Sequence, residues 1–119
     1  MRALLTAAVA AVLVIACAGG GPATTPAGTP AVTVQLSAAN SAFEETSLTV
    51  PAGVTFAIDF DNKDSAPHNV AIVGGPAGAK GEIFGGPGER VYVFPALSAG
   101  TYVFHCDVHP NMTGTIQAT

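Results

Sequence analysis

Residues 104–112 read Phe-His-Cys-Asp-Val-His-Pro-Asn-Met, and within them Cys106, His109 and Met112 follow one another with two residues between each. A thiolate, an imidazole and a thioether on one short loop can aim three donor atoms at one point. Thiolate and thioether suit Cu(I) and imidazole suits Cu(II), and two His with one Cys in a plane under a long axial Met is the donor set of copper electron-transfer centres. Such a set needs a second imidazole. The chain has three His, at 68, 105 and 109, so His68 can complete a plane with Cys106 and His109 and leave Met112 axial. Zinc is disfavoured, because it takes several Cys or His donors and does not recruit Met.

Each of these residues also has a plain structural reading. A lone Cys at a strand end is often a small buried hydrophobe, His68 can be a hydrogen-bonded strand-end residue, and Met112 can fill the core. A Cys-His nucleophilic pair is conceivable, but no third orienting group or substrate cleft can be named, so an enzyme is not expected. A disulfide is the first thought for two cysteines in an exported chain. Here one of them, Cys17, precedes a segment with no folding potential, and the other has metal-binding neighbours.

The elements that must position this loop follow from composition and periodicity. With 119 residues, 49% hydrophobic and 10% charged, the chain has room for one domain. Fourteen Gly and nine Pro favour many short strands joined by turns over helices. Period-2 alternation marks strands at Val32-Val34-Leu36, at Leu48-Val50 before the Pro51-Ala52-Gly53 turn, and over 54–61, where Val54, Phe56, Ile58 and Phe60 share a face opposite Asp59 and Asp61. Further strands are expected over 68–73, 90–94, 101–106 and 114–118, with glycine-rich breaks at 74–81 and 85–88 around a short 82–84 piece. The expected fold is all-β, a Greek-key β-sandwich of about seven to eight strands. On this pattern Tyr102, Phe104 and Cys106 point inward, with Cys106 at the end of its strand and His68 at the start of another. If those two strands run antiparallel, both donors reach the same pole.

Three segments are expected. Residues 1–16 read as a signal peptide, with Arg2 before an apolar run too short to span a bilayer comfortably. They end Val14-Ile15-Ala16-Cys17, which resembles the bacterial lipoprotein box and implies a lipidated Cys17. Residues 17–31 continue as an Ala, Gly, Pro and Thr linker that cannot bury enough apolar surface to fold. Residues 32–119 form the metal-binding domain, where Lys63, Lys80 and Arg90 face eight acids, a net charge of −5. No basic patch exists to neutralise phosphates, so nucleic acid is excluded as a partner. Glu44, Glu45, Asp59 and Asp61 could instead steer a basic protein.

The same residues resemble the cupredoxins, the blue copper proteins. The likeness runs through the Pro-Ala-Gly turn feeding an apolar strand, Asn62-Lys63-Asp64 shortly before His68-Asn69-Val70, the run 99–104 leading into the Cys106 loop, and the closing Gly114-Thr115-Ile116. It implies one copper held by His68, Cys106, His109 and Met112. Asn69 would stand in the family's supporting role, its backbone amide on the ligand sulfur and its side chain tying the two ligand loops together. It also implies a monomeric single-electron carrier working with a c-type cytochrome or a membrane or periplasmic oxidoreductase, anchored through Cys17 on the outer side of a membrane, with electrons crossing at the edge of His109. A copper carrier or delivery module without redox work is the alternative, though such proteins display exposed Met and His clusters and Met1 and Met112 are the chain's two Met. The dipeptide His105-Cys106 is similar to that of copper nitrite reductases, where the His binds a second, catalytic copper. No imidazole is left to complete such a site once His68 and His109 are used.

Overall fold

The computed structural model describes residues 29–119. The signal peptide expected at 1–16, Cys17 and most of the linker lie outside the described residues.

Ten strands form two four-stranded sheets and one two-stranded ribbon. In chain order they are β1 (Val32–Ala39), β2 (Ala42–Phe43), β3 (Ser47–Val50), β4 (Phe56–Asn62), β5 (Pro67–His68), β6 (Ala71–Val73), β7 (Phe84–Gly85), β8 (Gly88–Phe94), β9 (Gly100–His105) and β10 (Thr113–Ala118). The first sheet runs β2-β1-β4-β8, the second β3-β10-β9-β6, and β5 pairs with β7. The all-β sandwich expected from periodicity is present, and the strands beyond the expected number are the two-residue pieces β2, β5 and β7. These are too short to show alternation.

The inward faces are those the alternation marks. Leu36 of β1, Phe56, Ile58 and Phe60 of β4, Phe104 of β9 and Ile116 of β10 are all fully buried. Phe43 of β2 joins the layers, edge-on to Phe60 of the first sheet at 6.1 Å between centroids and to Phe104 of the second at 5.0 Å. Aromatic rings in this tilted arrangement add attraction beyond the area they bury.

Two local expectations fail. The alternation puts Val54 on the buried face of a strand starting there, yet it is exposed and β4 begins at Phe56. The turn at Pro51 extends further because its backbone is used elsewhere. The Ala52 N–H donates to Thr119 O and the Gly53 N–H to Leu97 O, with Gly53 at φ 78°, a left-handed conformation that glycine adopts without strain. The single strand expected over 68–73 is two pieces, β5 on the ribbon and β6 on the second sheet. His68, Asn69, Val70, Ala71 and Ile72 are buried in succession, so no period-2 pattern survives. Here the chain passes between sheets and is covered on both sides.

The antiparallel condition set by the sequence is met. β6 runs against β9 with Ala71 opposite His105, which puts His68, just before β6, beside Cys106, just after β9.

Candidate metal centre

Cys106 leaves β9 with its thiol fully buried. The loop after it is closed by its own backbone, because the Met112 N–H donates to His109 O at 2.8 Å and the Cys106 N–H to Met112 O at 3.1 Å. These bonds fold the loop through 107–111 and seat Met112 in the core at 2% exposure. Two-residue spacing alone does not force this closure; the two hydrogen bonds do.

His68 enters from the ribbon, where it faces Phe84 of β7 and is fully buried. Its Nδ1 lies 3.8 Å from Cys106 Sγ and 3.1 Å from His109 Nδ1, and His109 Nδ1 lies 4.0 Å from the same sulfur. Donors bonded to one first-row ion at about 2.0 Å (imidazole) and about 2.3 Å (thiolate) would stand about 3.5 Å apart in a trigonal plane. The observed triangle therefore fits a single ion. His109 is only half-buried, and it forms the edge of the site toward solvent.

Three further side chains hold this triangle in place. The Asp64 carboxylate accepts a 2.8 Å hydrogen bond from His68 Nε2, which leaves Nδ1 free to face the sulfur. It also accepts the backbone N–H groups of Asn40 at 2.7 Å and Ser41 at 2.8 Å. Those two residues are the left-handed corners of the β1–β2 turn, with φ of 53° and 55°, as a tight two-residue hairpin requires. One carboxylate thus couples the hairpin tip to an imidazole of the site. Its pKa is lowered, first by the Ser41 N–H and next by His68. Asn69, fully buried, spans the two loops. Its Nδ2 donates to Asp107 Oδ2 at 2.8 Å and to Gly81 O at 3.0 Å, and its Oδ1 accepts the Asp107 N–H at 2.8 Å. Asp107 also meets the Lys80 ammonium at 2.8 Å and His105 Nε2 at 3.0 Å. Lys80 above all, then Asn69, holds its carboxyl down at about 2.

His68, Cys106 and His109 are brought together as the sequence suggests, and they are the group of metal-ligand side chains found among the described residues. The Asn69 side chain hydrogen-bonds Asp107 and Gly81 from the segment that carries His68. His105 lies half-buried on the opposite side of β9 from Cys106's neighbours in the core, paired with Asp107. Asp64, Lys80 and Asp107 were missed. Asp64 and Asp107 lie within four residues of ligand-type residues, a weak signal, whereas Lys80 sits in a glycine-rich break with no local mark.

Two imidazoles and one buried thiol converge at one pole of the sandwich, with the thioether-bearing Met112 on the same loop as two of them, and these are the donor types of a mononuclear copper centre. Residues 5–118 match the family profile described as a cupredoxin-like domain. The chain belongs to the cupredoxins, the blue copper family, and donor set and family agree on one copper ion as its cofactor. It is similar to amicyanin of Paracoccus denitrificans, 35% identical over 77 residues that cover 62% of this chain and 56% of amicyanin. The chain thus spans little more than half the length of that relative. Among solved structures, auracyanin from Roseiflexus castenholzii superposes with a TM-score of 0.65 at 23% identity, over 76% of this chain and 99% of auracyanin, which bears on the fold alone. Auracyanin A, a blue copper protein of Chloroflexus aurantiacus, gives a TM-score of 0.64 at 26% identity over 73% of this chain and 98% of its own.

Proposed function

We propose that the protein is a single-electron carrier, not an enzyme, whose copper is held by His68, Cys106 and His109 with Met112 as the axial donor. The observation that carries this reading is the convergence of two imidazole nitrogens and one buried cysteine sulfur within 4.8 Å. Bound there, copper supplies a one-electron Cu(II)/Cu(I) couple that needs no proton.

The chain's own residues do the rest. Asp64 holds the His68 ring with Nδ1 inward, and Asn69 locks the first ligand loop to the second, so the donors are set before metal arrives. A preset donor frame needs little rearrangement when the oxidation state changes. Burial of Cys106 and Met112 excludes water and favours retention of the metal over its delivery to another protein. His109, half-buried, offers the edge where electrons cross, beside exposed Pro67, Val108 and Pro110. That uncharged rim suits brief docking with a redox protein. A basic partner such as a c-type cytochrome, or a membrane or periplasmic oxidoreductase, matches the excess of acids. Asp59 and Asp61 on the outer side of β4 are better placed to steer it than Glu44, which Lys63 neutralises at 2.6 Å. Export, and tethering to a membrane through a lipidated Cys17, complete the reading, with the protein acting as a monomer.

The purified domain loaded with Cu(II) is expected to be intensely blue or blue-green and to bleach on mild reduction, and Cys106→Ala to lose both colour and tight copper binding. A colourless Cu(II) form, or unchanged binding by Cys106→Ala, overturns this function.

A further inference from the structure

Asp107 puts a carboxylate one residue from the thiolate of Cys106, an awkward place for an uncompensated negative charge. Three groups face that carboxylate. Asn69 Nδ2 and the Lys80 ammonium share Oδ2, each at 2.8 Å, and His105 Nε2 meets Oδ1 at 3.0 Å. Of these, Asn69 can never bring charge, whereas Lys80 brings a full one. The ammonium is placed by backbone rather than by chance. Lys80 bridges Ala71, the first residue of β6, while the Ile72 N–H donates to Ala79 O and the Gly81 N–H to Val70 O, so residues 79–81 are laced along the first ligand segment. The other two cations of the described residues are engaged elsewhere, Lys63 with Glu44 at 2.6 Å and Arg90 over the Phe84 ring at 4.5 Å.

Reading the site as a redox copper centre, we propose that Lys80 sets the redox poise of that centre by neutralising Asp107. Reduction takes one electron from the partner protein and lowers the charge at the site by one. A bare carboxylate at this position would favour the higher-charged Cu(II) state and depress the reduction potential. The paired ammonium opposes this through space, without touching a donor atom.

The test is a redox titration of the copper-loaded protein and of Lys80→Gln, Lys80→Arg, Asp107→Asn and the Lys80→Gln/Asp107→Asn double variant. Lys80→Gln is expected to shift the equilibrium toward Cu(II) about three- to tenfold, which is about 30 to 60 mV for a one-electron couple. Asp107→Asn should shift it the opposite way, the double variant should lie within about twofold of the parent, and Lys80→Arg should hold the parent value. Raising the salt concentration should shrink the Lys80→Gln shift, since the ammonium is largely exposed. The blue absorption should be the same in Lys80→Gln as in the parent, which separates an effect of charge from a disturbed donor geometry. A His105→Gln background removes the other titratable group facing the carboxylate, and the shift should persist there; if it vanishes, the imidazole and not Lys80 sets the poise. An unmoved potential in Lys80→Gln, or shifts of the same sign in Lys80→Gln and Asp107→Asn, overturns the role of Lys80 alone. A parent protein with no reversible one-electron couple overturns both this inference and the electron-carrier function beneath it.

Discussion

Replacing Asn69 by leucine tests whether the two ligand loops are held together by hydrogen bonding or by packing. Leucine keeps the four side-chain heavy atoms and the branch point of asparagine, so the change opens no cavity at a fully buried position, and its bulkier methyl groups add to the loss of the polar contacts. Three bonds are lost, to Asp107 Oδ2, from the Asp107 N–H and to Gly81 O. At about 1 kcal/mol net for each, the cost is about 3 kcal/mol. The partners left behind raise rather than lower it, because the Asp107 N–H and Gly81 O keep their need for a partner beside an apolar side chain. In a domain of about 90 residues, 1 kcal/mol moves the melting temperature by about 4–8 °C, so the midpoint should fall by about 12–24 °C. The assay is thermal unfolding of the metal-free protein followed by far-ultraviolet circular dichroism. Working without copper keeps metal affinity out of the comparison, since a bound ion would add its own stabilisation by mass action. A midpoint within about 4 °C of the parent would refute the reasoning, because that is the shift expected from about 1 kcal/mol. It would mean that the loops stay joined by the core contacts of Cys106 and Met112.

Three other perturbations test neighbouring parts of the structure. Asp64→Ala removes the acceptor of His68 Nε2 and is expected to weaken copper binding by about 10- to 100-fold, with Asp64→Glu recovering part of the loss; competition against a chelator measures this, and affinity within about twofold of the parent contradicts the positioning role. Gly114→Ala drives a methyl group into the Phe104 ring opposite it in the β9–β10 ladder, and should lower stability by about 1–3 kcal/mol in urea unfolding. The folded-state pKa values of Asp107, at about 2, and of Asp64 lie below that of an unfolded carboxylate near 3.9. The stability they contribute is therefore fully present above that unfolded value and drains as pH falls through it toward about 2. Urea midpoints of the metal-free protein should decline over that window, and a midpoint that stays level down to pH 2 would count against both networks.

Much of the frame is legible one strand at a time. In β4 the alternation of Phe56, Ile58 and Phe60 with Asp59 and Asp61 leaves one orientation in which the apolar face meets a core, and the structure adopts it. In β9 the same logic turns Phe104 inward and carries Cys106 to the end of the strand. The pattern misleads where backbone hydrogen bonds have other uses, as at Val54, and where both sides of a segment are covered, as in 68–72. Alternation reports one-sided burial, so it has nothing to say where a strand crosses between layers. The hairpin pair Ala42–Phe43 escaped notice because two residues cannot show a period, although Phe43 joins the aromatic contacts between the sheets.

By itself the sequence determined the kinds of donor available and the loop that carries three of them, since spacing along one loop and side-chain chemistry are local properties. It determined also that the domain would be all-β and acidic. Only the tertiary structure decided that His68 meets Cys106 across 38 residues of chain, because that contact depends on the antiparallel register that sets Ala71 against His105. The same register decided which groups surround the donors. Asp64 reaches His68 and the hairpin tip together, and Lys80 reaches Asp107 because residues 79–81 are laced to the first ligand segment. Those pairings join separate segments through hydrogen bonds and charge, and no local pattern of apolar residues encodes them.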